Sequence, residues 1–158
     1  MNFEHQIRYD APPEKVYAML ADRSFREQVC DAQRVLEKSV TISPNGAGMN
    51  VTVDQQQRAG GIPAFAQKVV GDQIHIVQKE AWSTTTDAQL EVGIPGKPGH
   101  MLGSIALRPD GAGTVQTVTG EIKVNIPLVG GKLEKLIADM LRRALDTENR
   151  VGHRWLAG

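Results

Sequence analysis

The C-terminal segment, from Pro127 to Ala157, constrains the fold most, because it predicts one long amphipathic helix. Pro127 lacks the N–H that a central strand needs, and Gly130 and Gly131 let the backbone turn into a helix. At about 1.5 Å per residue this helix is about 40 Å long, enough to cross a small domain. Its apolar residues recur with the i, i+3, i+4, i+7 spacing of one helical face: Leu133, Leu136, Ile137, Met140, Leu141, Ala144, Leu145, Val151 and Trp155.

Glu148 interrupts this apolar face. At about 100° per residue it falls between Ala144, Val151 and Trp155. A carboxylate in that sector costs free energy unless it is hydrogen-bonded or reaches water. One interpretation is that the helix bends or that the side chain extends past the edge of the sheet into solvent. The other is a functional role, since burial raises the pKa of a carboxyl group toward values suited to acid–base work.

Most of the chain before this helix predicts strands of an antiparallel sheet, separated by turn signals. In the first strand Phe3, His5, Ile7 and Tyr9 alternate with polar residues. We interpret His5 as a packed or rim histidine rather than a ligand, because no partner motif sits beside it. Six further strands are predicted near residues 36–42, 49–54, 74–82, 84–94, 102–108 and 114–126.

Short helices are predicted at two places between these strands. Pro13 at a first helical position favours one helix after the first strand. A second short helix is predicted directly after it and runs to about Cys30. Its start has the sequence pattern of a capping box, with Ser24 as N-cap and Glu27 three residues later. A helical excursion is predicted over residues 62–69. Strands and helices in this order predict an α+β fold.

Length, charge and cysteine content exclude several function classes. The 158 residues predict one domain, residues 1–158, that buries a core without disulfides. Eighteen basic and eighteen acidic residues cancel, so no basic field favours nucleic acid or an anionic membrane. No stretch approaches the roughly 18 apolar residues of a membrane span, and the charged start has no apolar signal-peptide core. Because Cys30 is the single cysteine, no internal disulfide can form, which suits a reducing cytoplasm. We therefore expect a cytoplasmic protein, a monomer or homodimer, with no nucleic-acid partner and no stable membrane insertion.

No catalytic or cofactor motif is found. Residues 129–132 precede a helix as a phosphate loop does, but the first Gly of that motif and its Ser or Thr are missing. The four histidines form no i, i+4 pair, and HExxH, EF-hand, G-x-S-x-G and G-x-G-x-x-G spellings are absent. We therefore expect no metal and no cofactor. Catalysis would need an acid–base pair assembled in space, such as Glu148 with Glu80 or a histidine.

Several short motifs resemble the START-like superfamily, also called SRPBCC. They are the APPEKVY opening at residues 11–17, the strand from Gln78 that ends in Trp82, the hairpin at Asp110-Gly111 and the entry into the final helix at residues 126–131. The chain looks like a mainly actinobacterial branch of that superfamily described as a domain of unknown function. The resemblance covers essentially the whole chain and implies a helix-grip fold. In that fold a curved seven-stranded antiparallel sheet wraps around the C-terminal helix and leaves a cavity between them.

We expect this cavity to bind a hydrophobic or amphipathic small molecule, such as a lipid or a polyketide-like compound. An aromatic content of only 4% favours a cavity, because few large rings are available to fill the space. Two alternatives stay open. One is a cyclase, dehydratase or hydrolase that uses acid–base residues in the cavity, and the other is a protein-interaction module whose interior is filled.

The candidate ligand-binding residues come from the apolar face of the long helix and from the strands that face it. Gln78 and Glu80 would be polar groups inside the cavity if the strand face that bears Trp82 points inward, which the sequence alone does not decide. The full set is Met49, Val51, Val53, Ile76, Gln78, Glu80, Trp82, Leu90, Val92, Val118, Ile122, Ile137, Met140, Leu141, Ala144 and Glu148.

Overall fold

The computed structural model describes residues 1–158 and contains seven strands and four helices. Residues of alternating polarity form the strands, and residues with helical spacing form the helices, as their periodicity predicts. In chain order the elements are β1 (Asn2–Tyr9), α1 (Pro13–Leu20), α2 (Arg23–Ala32), β2 (Glu37–Asn45), β3 (Gly48–Arg58), α3 (Ala64–Val70), β4 (Gln73–Trp82), β5 (Asp87–Gly93), β6 (Gly99–Asp110), β7 (Gly113–Val124) and α4 (Gly130–Ala157).

The seven strands form one antiparallel sheet in the order β1-β7-β6-β5-β4-β3-β2. Strands that follow one another from β2 to β7 are neighbours, and β1 lies beside β7. The register places Glu80 of β4 opposite Leu90 of β5, and Met101 of β6 opposite Ile122 of β7. The curved sheet wraps around α4, which confirms the predicted helix-grip fold.

Polar contacts attach α4 to the sheet near both of its ends. The Glu134 carboxylate accepts a hydrogen bond from the Val124 N–H at 3.0 Å, so the N-terminal part of α4 is held against the end of β7. Further along, His5 Nε2 lies 2.8 Å from Asp146 Oδ1, and Asn149 donates to the Arg8 carbonyl at 2.8 Å. No helix, α4 included, combines the length and the apolar character needed to cross a membrane.

One end of the space between α4 and the sheet is filled by α1, α2 and aromatic side chains. Trp82 is fully buried and meets Tyr17 of α1 edge-on, with ring centroids 5.6 Å apart. Phe25 of α2 meets Trp155 of α4 in the same geometry, also at 5.6 Å. Because these rings close that end, most of the open space under α4 lies toward its N-terminal half and α3.

The predicted cap of α2 is wrong. The helix begins one residue before Ser24, and its N-cap is Asp22, whose carboxylate accepts the Ser24 N–H at 2.8 Å. Asp is among the best N-cap residues, and Asp22 directly follows Ala21, the C-cap of α1, where the chain must turn. Ser24 therefore contributes its backbone N–H rather than its side chain.

The strand predicted from residue 84 begins later, at Asp87. The Thr84 hydroxyl accepts hydrogen bonds from the N–H groups of Thr86 and Asp87, at 3.2 and 3.1 Å. Such local bonds compete with sheet pairing, so these residues form a turn although their polarity alternates. In contrast β6 is longer than predicted, since its pairing with β7 continues to Asp110 opposite Gly113.

Candidate functional site

A cavity of about 380 Å³, here called the main cavity, lies between α4, α3 and the sheet. Its walls are mostly apolar. They combine one face of α4 with α3, the inward faces of β4, β5 and β6, and the loop between β5 and β6. The apolar lining residues from helices are Ile62 just before α3, Ala66, Val69 and Val70 of α3, and Leu133, Leu136, Ile137, Met140, Leu141 and Ala144 of α4.

A smaller cavity of about 70 Å³, here called the inner cavity, adjoins the main cavity. Both are lined by Gln33, Gln55, Gln78, Leu141 and Ala144, so one continues into the other. A single water needs about 10–15 Å³ of such space. The inner cavity can therefore hold a few waters or one polar group of a ligand.

An ion pair between Arg26 of α2 and Glu80 of β4 lies at the inner cavity. Both side chains are almost fully buried, and the pair is bidentate, with N···O distances of 2.7 and 2.9 Å. Arg26 also donates through Nε to the Leu20 carbonyl at 2.7 Å. Glu80 accepts two further hydrogen bonds, from Gln78 at 2.6 Å and from the Trp82 indole at 2.9 Å. All strong polar groups of the pair are therefore satisfied.

The charges of this pair hold each other in the ionised form. Burial by itself would raise the pKa of Glu80, but the adjacent Arg26 charge and the hydrogen bonds to the carboxylate outweigh it and hold that pKa below its usual range. Burial would likewise lower the pKa of Arg26, and the Glu80 charge raises it instead. Glu80 therefore stays an anion and is not available as a general acid at neutral pH.

Glu148 of α4 also lines the inner cavity and is only 9% exposed. The interpretation in which its side chain reaches solvent is therefore wrong. Burial raises the pKa of Glu148 to about 7, against a smaller opposite effect of the Arg26 charge. One carboxylate oxygen accepts a hydrogen bond from Gln116 Nε2 at 3.2 Å. The carboxyl group is thus divided between its neutral and ionised forms near pH 7.

Gln116 of β7 leaves one hydrogen-bond acceptor unused beside Glu148. Its side chain is 2% exposed, and its Oε1 has no hydrogen-bond partner. A buried acceptor without a donor costs about 1–3 kcal/mol. The inner cavity therefore offers an acceptor to any donor that enters it. No cluster of three or more His, Cys, Asp or Glu side chains is placed to hold a metal ion.

A family model described as "Protein of unknown function (DUF2505)" matches residues 4–156. The chain belongs to the DUF2505 family. An uncharacterized protein of Mycobacterium tuberculosis, Rv0481c, is 23% identical over 172 residues, which cover 98% of this chain and 96% of that protein. The match to DUF2505 agrees with the START-like, SRPBCC resemblance and with its branch of unknown function.

Solved structures similar to this DUF2505 chain share its fold. TTHA0849 from Thermus thermophilus has a TM-score of 0.67 and 18% identity, covering 98% of this chain and 95% of its own. Norcoclaurine synthase from Thalictrum flavum, in complex with dopamine and hydroxybenzaldehyde, has a TM-score of 0.62, 16% identity and coverage of 96% and 85%. The di-domain ARO/CYC StfQ of the steffimycin biosynthetic pathway has a TM-score of 0.64 and 11% identity; the match covers 97% of this chain and 49% of StfQ.

Most of the residues predicted to bind ligand surround one of the two cavities of the DUF2505 chain. The face of β4 that bears Trp82 points inward, which places Gln78 and Glu80 inside. The main cavity is lined by Ile76, Gln78, Val92, Ile137, Met140, Leu141 and Ala144. The inner cavity adds Val53, Glu80, Leu90, Val118 and Glu148.

The structure places Met49, Val51, Trp82 and Ile122 elsewhere. All are at most 3% exposed and belong to the packed core rather than to either cavity wall. Met49 and Val51 share the inward face of β3 with Val53, but they lie at the hairpin end of the strand, the end that Trp82 and the Tyr17 ring of α1 close. Alternation along a strand identifies the inward face and not which part of that face meets open space.

Several residues of the site were not predicted. Gln55 continues the inward alternation of Met49, Val51 and Val53, and Gln116 shares the face of Val118, so the period of two could have identified both. Arg26 follows Phe25 and lies four residues before Cys30 on the buried face of α2, which is a weak signal of burial. Its partner Glu80 is 54 residues away, and no local pattern indicates that pairing.

Proposed function

We propose that the protein binds a hydrophobic or amphipathic small molecule in the main cavity, as a carrier or a receptor for it. The observation that carries the proposal is the main cavity itself, about 380 Å³ with mostly apolar walls. Small-molecule sites are typically concave spaces of about 300–1,000 Å³ with apolar walls and few polar groups. Each CH₂ group transferred into such walls contributes about 0.8 kcal/mol.

The inner cavity would orient the bound molecule. Gln78 lines both cavities, and Glu148 and the free acceptor of Gln116 lie beyond it. A hydroxyl or amine at the deep end of a ligand could donate to that acceptor, whereas a purely apolar end would leave it unpaired. The fold supports this proposal at a coarser level, because norcoclaurine synthase, which has the same fold, is solved with dopamine and hydroxybenzaldehyde.

Native mass spectrometry of the purified protein, with an organic extract of the same sample, tests the proposal directly. We expect a stoichiometric small molecule of lipid-like or polyketide-like mass. Thermal unfolding with a panel of fatty acids, fatty alcohols and aromatic polyketides gives a second test. A true ligand at about 100 times its Kd adds about 2.7 kcal/mol, or roughly 5–11 °C in Tm for a chain of this size.

Ala144→Trp is the matching variant, because Ala144 lines both cavities. The indole would occupy ligand space, so we expect the ligand-induced Tm shift to disappear while far-UV circular dichroism shows a folded protein. Lys135→Trp on the exposed face of α4 is the control and should keep the shift. No co-purified molecule and no stabilisation by any panel member would contradict the proposal and favour an interaction module.

Acid–base catalysis on the bound molecule is a second candidate function, and the position of Glu148 favours it. The carboxyl group lies at the inner cavity and has a pKa of about 7, the range in which a group can both donate and accept a proton. Glu80 is no partner in this role because Arg26 holds it ionised. Turnover of a panel compound that Glu148→Gln abolishes, with binding retained, would establish catalysis. Binding without turnover by the wild type would leave the carrier function alone.

A further inference from the structure

The ionised side chains that line the main cavity are all basic. They are Lys97 and Arg143, which carry positive charge at pH 7. No Asp or Glu lines this cavity, although the chain contains eighteen acidic and eighteen basic residues. The charged side chains that line the main cavity are therefore all positive, although the chain as a whole has no net charge.

Neither of these two side chains is paired within the protein. No hydrogen bond or ion pair connects Lys97 or Arg143 to any carboxylate, whereas Arg142, the neighbour of Arg143, contacts Asp139 at 3.2 Å. Donors without partners at a cavity wall remain available to a ligand. A guanidinium group in particular matches the two oxygens of a carboxylate or phosphate.

Both groups lie where the cavity meets solvent. Lys97 and Arg143 are exposed, while the lining residues behind them, such as Ala66, are buried. Lys97 belongs to the loop between β5 and β6, and Arg143 precedes Ala144 on α4. A charged group bound there keeps part of its hydration, so the cost of burying a charge is avoided.

The inner end of the cavity does not suit an anion. Arg26 is the only cation there, and both of its terminal nitrogens are bound to Glu80. Glu148 would repel a second negative charge when ionised. An acidic ligand therefore fits in one orientation, with its charge at the solvent boundary and its apolar body inside.

We infer that the ligand is an amphipathic anion, an apolar body that ends in a carboxylate or phosphate, and that Lys97 and Arg143 bind its charged end. This inference rests on the proposed ligand-binding function and specifies the class of ligand. It excludes apolar cations and ranks neutral amphiphiles below acids with the same chain.

Isothermal titration calorimetry with four dodecyl compounds, each below its micelle concentration, tests the inference. They are dodecanoate, dodecyl phosphate, dodecanol and dodecyltrimethylammonium, which share one chain and differ in charge. We expect the two anions to bind more tightly than dodecanol, the cation to bind most weakly, and the preference to shrink as NaCl screens the charges. The stronger of the two anions identifies a carboxylate or a phosphate as the charged group.

Lys97→Gln/Arg143→Gln supplies the matched variant. Exposed charge pairs contribute about 0.2–1 kcal/mol each, so we expect the two substitutions to weaken the anions by about 2-fold to 30-fold and to weaken dodecanol less than the anions. Lys135→Gln, an exposed lysine of α4 away from the cavity, should change nothing. Equal binding of dodecanol and the anions would overturn the inference, and so would a double variant that binds all four compounds equally more weakly. Either result would leave the proposed ligand-binding function in place. Binding of none of the four compounds overturns the inference, and it overturns the proposed function as well only if the lipid and polyketide panel also fails to stabilise the protein.

Discussion

Removal of one partner from the buried Arg26–Glu80 pair should destabilise the protein strongly. The side chains of Arg26 and Glu80 are 4% and 2% exposed, so Arg26→Met leaves an ionised carboxylate in the interior with only Gln78 and Trp82 as donors. Breaking a pair of this kind costs about 3–5 kcal/mol. That is a large part of the roughly 5–15 kcal/mol by which folded domains are stable. Arg26→Met/Glu80→Gln removes both charges and should be less damaging than the sum of its single variants.

Urea unfolding followed by tryptophan fluorescence measures these differences. With a slope of about 2 kcal/mol per M, Arg26→Met should lower the midpoint by about 1.5–2.5 M. Arg108→Met is the control, because it breaks the exposed Arg108–Asp87 pair of 2.7 Å and should cost less than about 1 kcal/mol. The reasoning fails if Arg26→Met costs no more than this control, or if the double variant loses the full sum of the two single losses.

The pH dependence of Arg26→Met gives an independent check. In the wild type the pKa of Glu80 lies below its unfolded value, so the stability it contributes is present above pH about 4.3 and is lost as pH falls through the folded pKa. Without Arg26, burial should raise that pKa above its unfolded value. Stability is then greatest in acid and falls as pH rises toward 7. The deficit of the variant should therefore narrow between pH 7 and pH 5, and a constant deficit would contradict the ion-pair account.

Three further predictions concern Glu148, a glycine of α4 and the cap of α2. The pKa of Glu148, raised from 4.5 to about 7, means that stability falls by about 3 kcal/mol as pH rises from 4.5 to 7; Glu148→Gln should remove that fall, as urea unfolding at several pH values would show. Gly152→Ala should cost about 1–3 kcal/mol in the same assay, because the added Cβ would overlap the Tyr9 ring. Asp22→Ala should lose about 1 kcal/mol of unfolding free energy and Ser24→Ala almost none, since the Asp22 side chain is the cap.

Matched substitutions on α4 serve as controls for the first two. Asp139→Asn removes an exposed carboxylate and should leave the pH profile of stability unchanged. Gly131→Ala adds a Cβ that meets no atom within 4 Å and should be neutral or slightly stabilising. The same pH profile for Glu148→Gln and wild type would contradict the raised pKa of Glu148. An unchanged unfolding free energy for Gly152→Ala would contradict the close packing of Gly152 on Tyr9. Equal losses for Ser24→Ala and Asp22→Ala would contradict the Asp22 cap.

The local patterns predicted the elements well where only the backbone period mattered. The helical stripe from Leu133 to Trp155 became α4, and the turn glycine Gly111 lies at φ 59° between β6 and β7, as its position after Asp110 indicates. Errors occurred where side chains compete for the same backbone groups. The Thr84 hydroxyl accepts hydrogen bonds from two N–H groups of the predicted strand, and Asp22 rather than Ser24 caps α2.

The site was predictable only in part. The stripe of α4 and the inward face of β4 identified Ile76, Met140 and Ala144, because facing elements must share what lies between them. The same logic included Val51 and Trp82, which pack against other side chains instead of open space. Whether an inward residue meets a neighbour or a cavity depends on the summed volumes of residues from all the facing elements, which no single segment contains.

The sequence alone therefore determined the order of strands and helices, the long amphipathic α4 and the place of Glu148 within the apolar sector of that helix, since helix and strand periods of 3.6 and 2 residues are properties of the backbone. Only the tertiary structure decided that Glu148 is buried, that Arg26 neutralises Glu80 across 54 residues and Gln116 donates to Glu148 across 32, and that the unpaired cations Lys97 and Arg143 line the main cavity. These contacts form when the sheet closes around α4. Distant segments then exclude water, so buried charges and hydrogen-bond donors must pair with one another rather than with solvent.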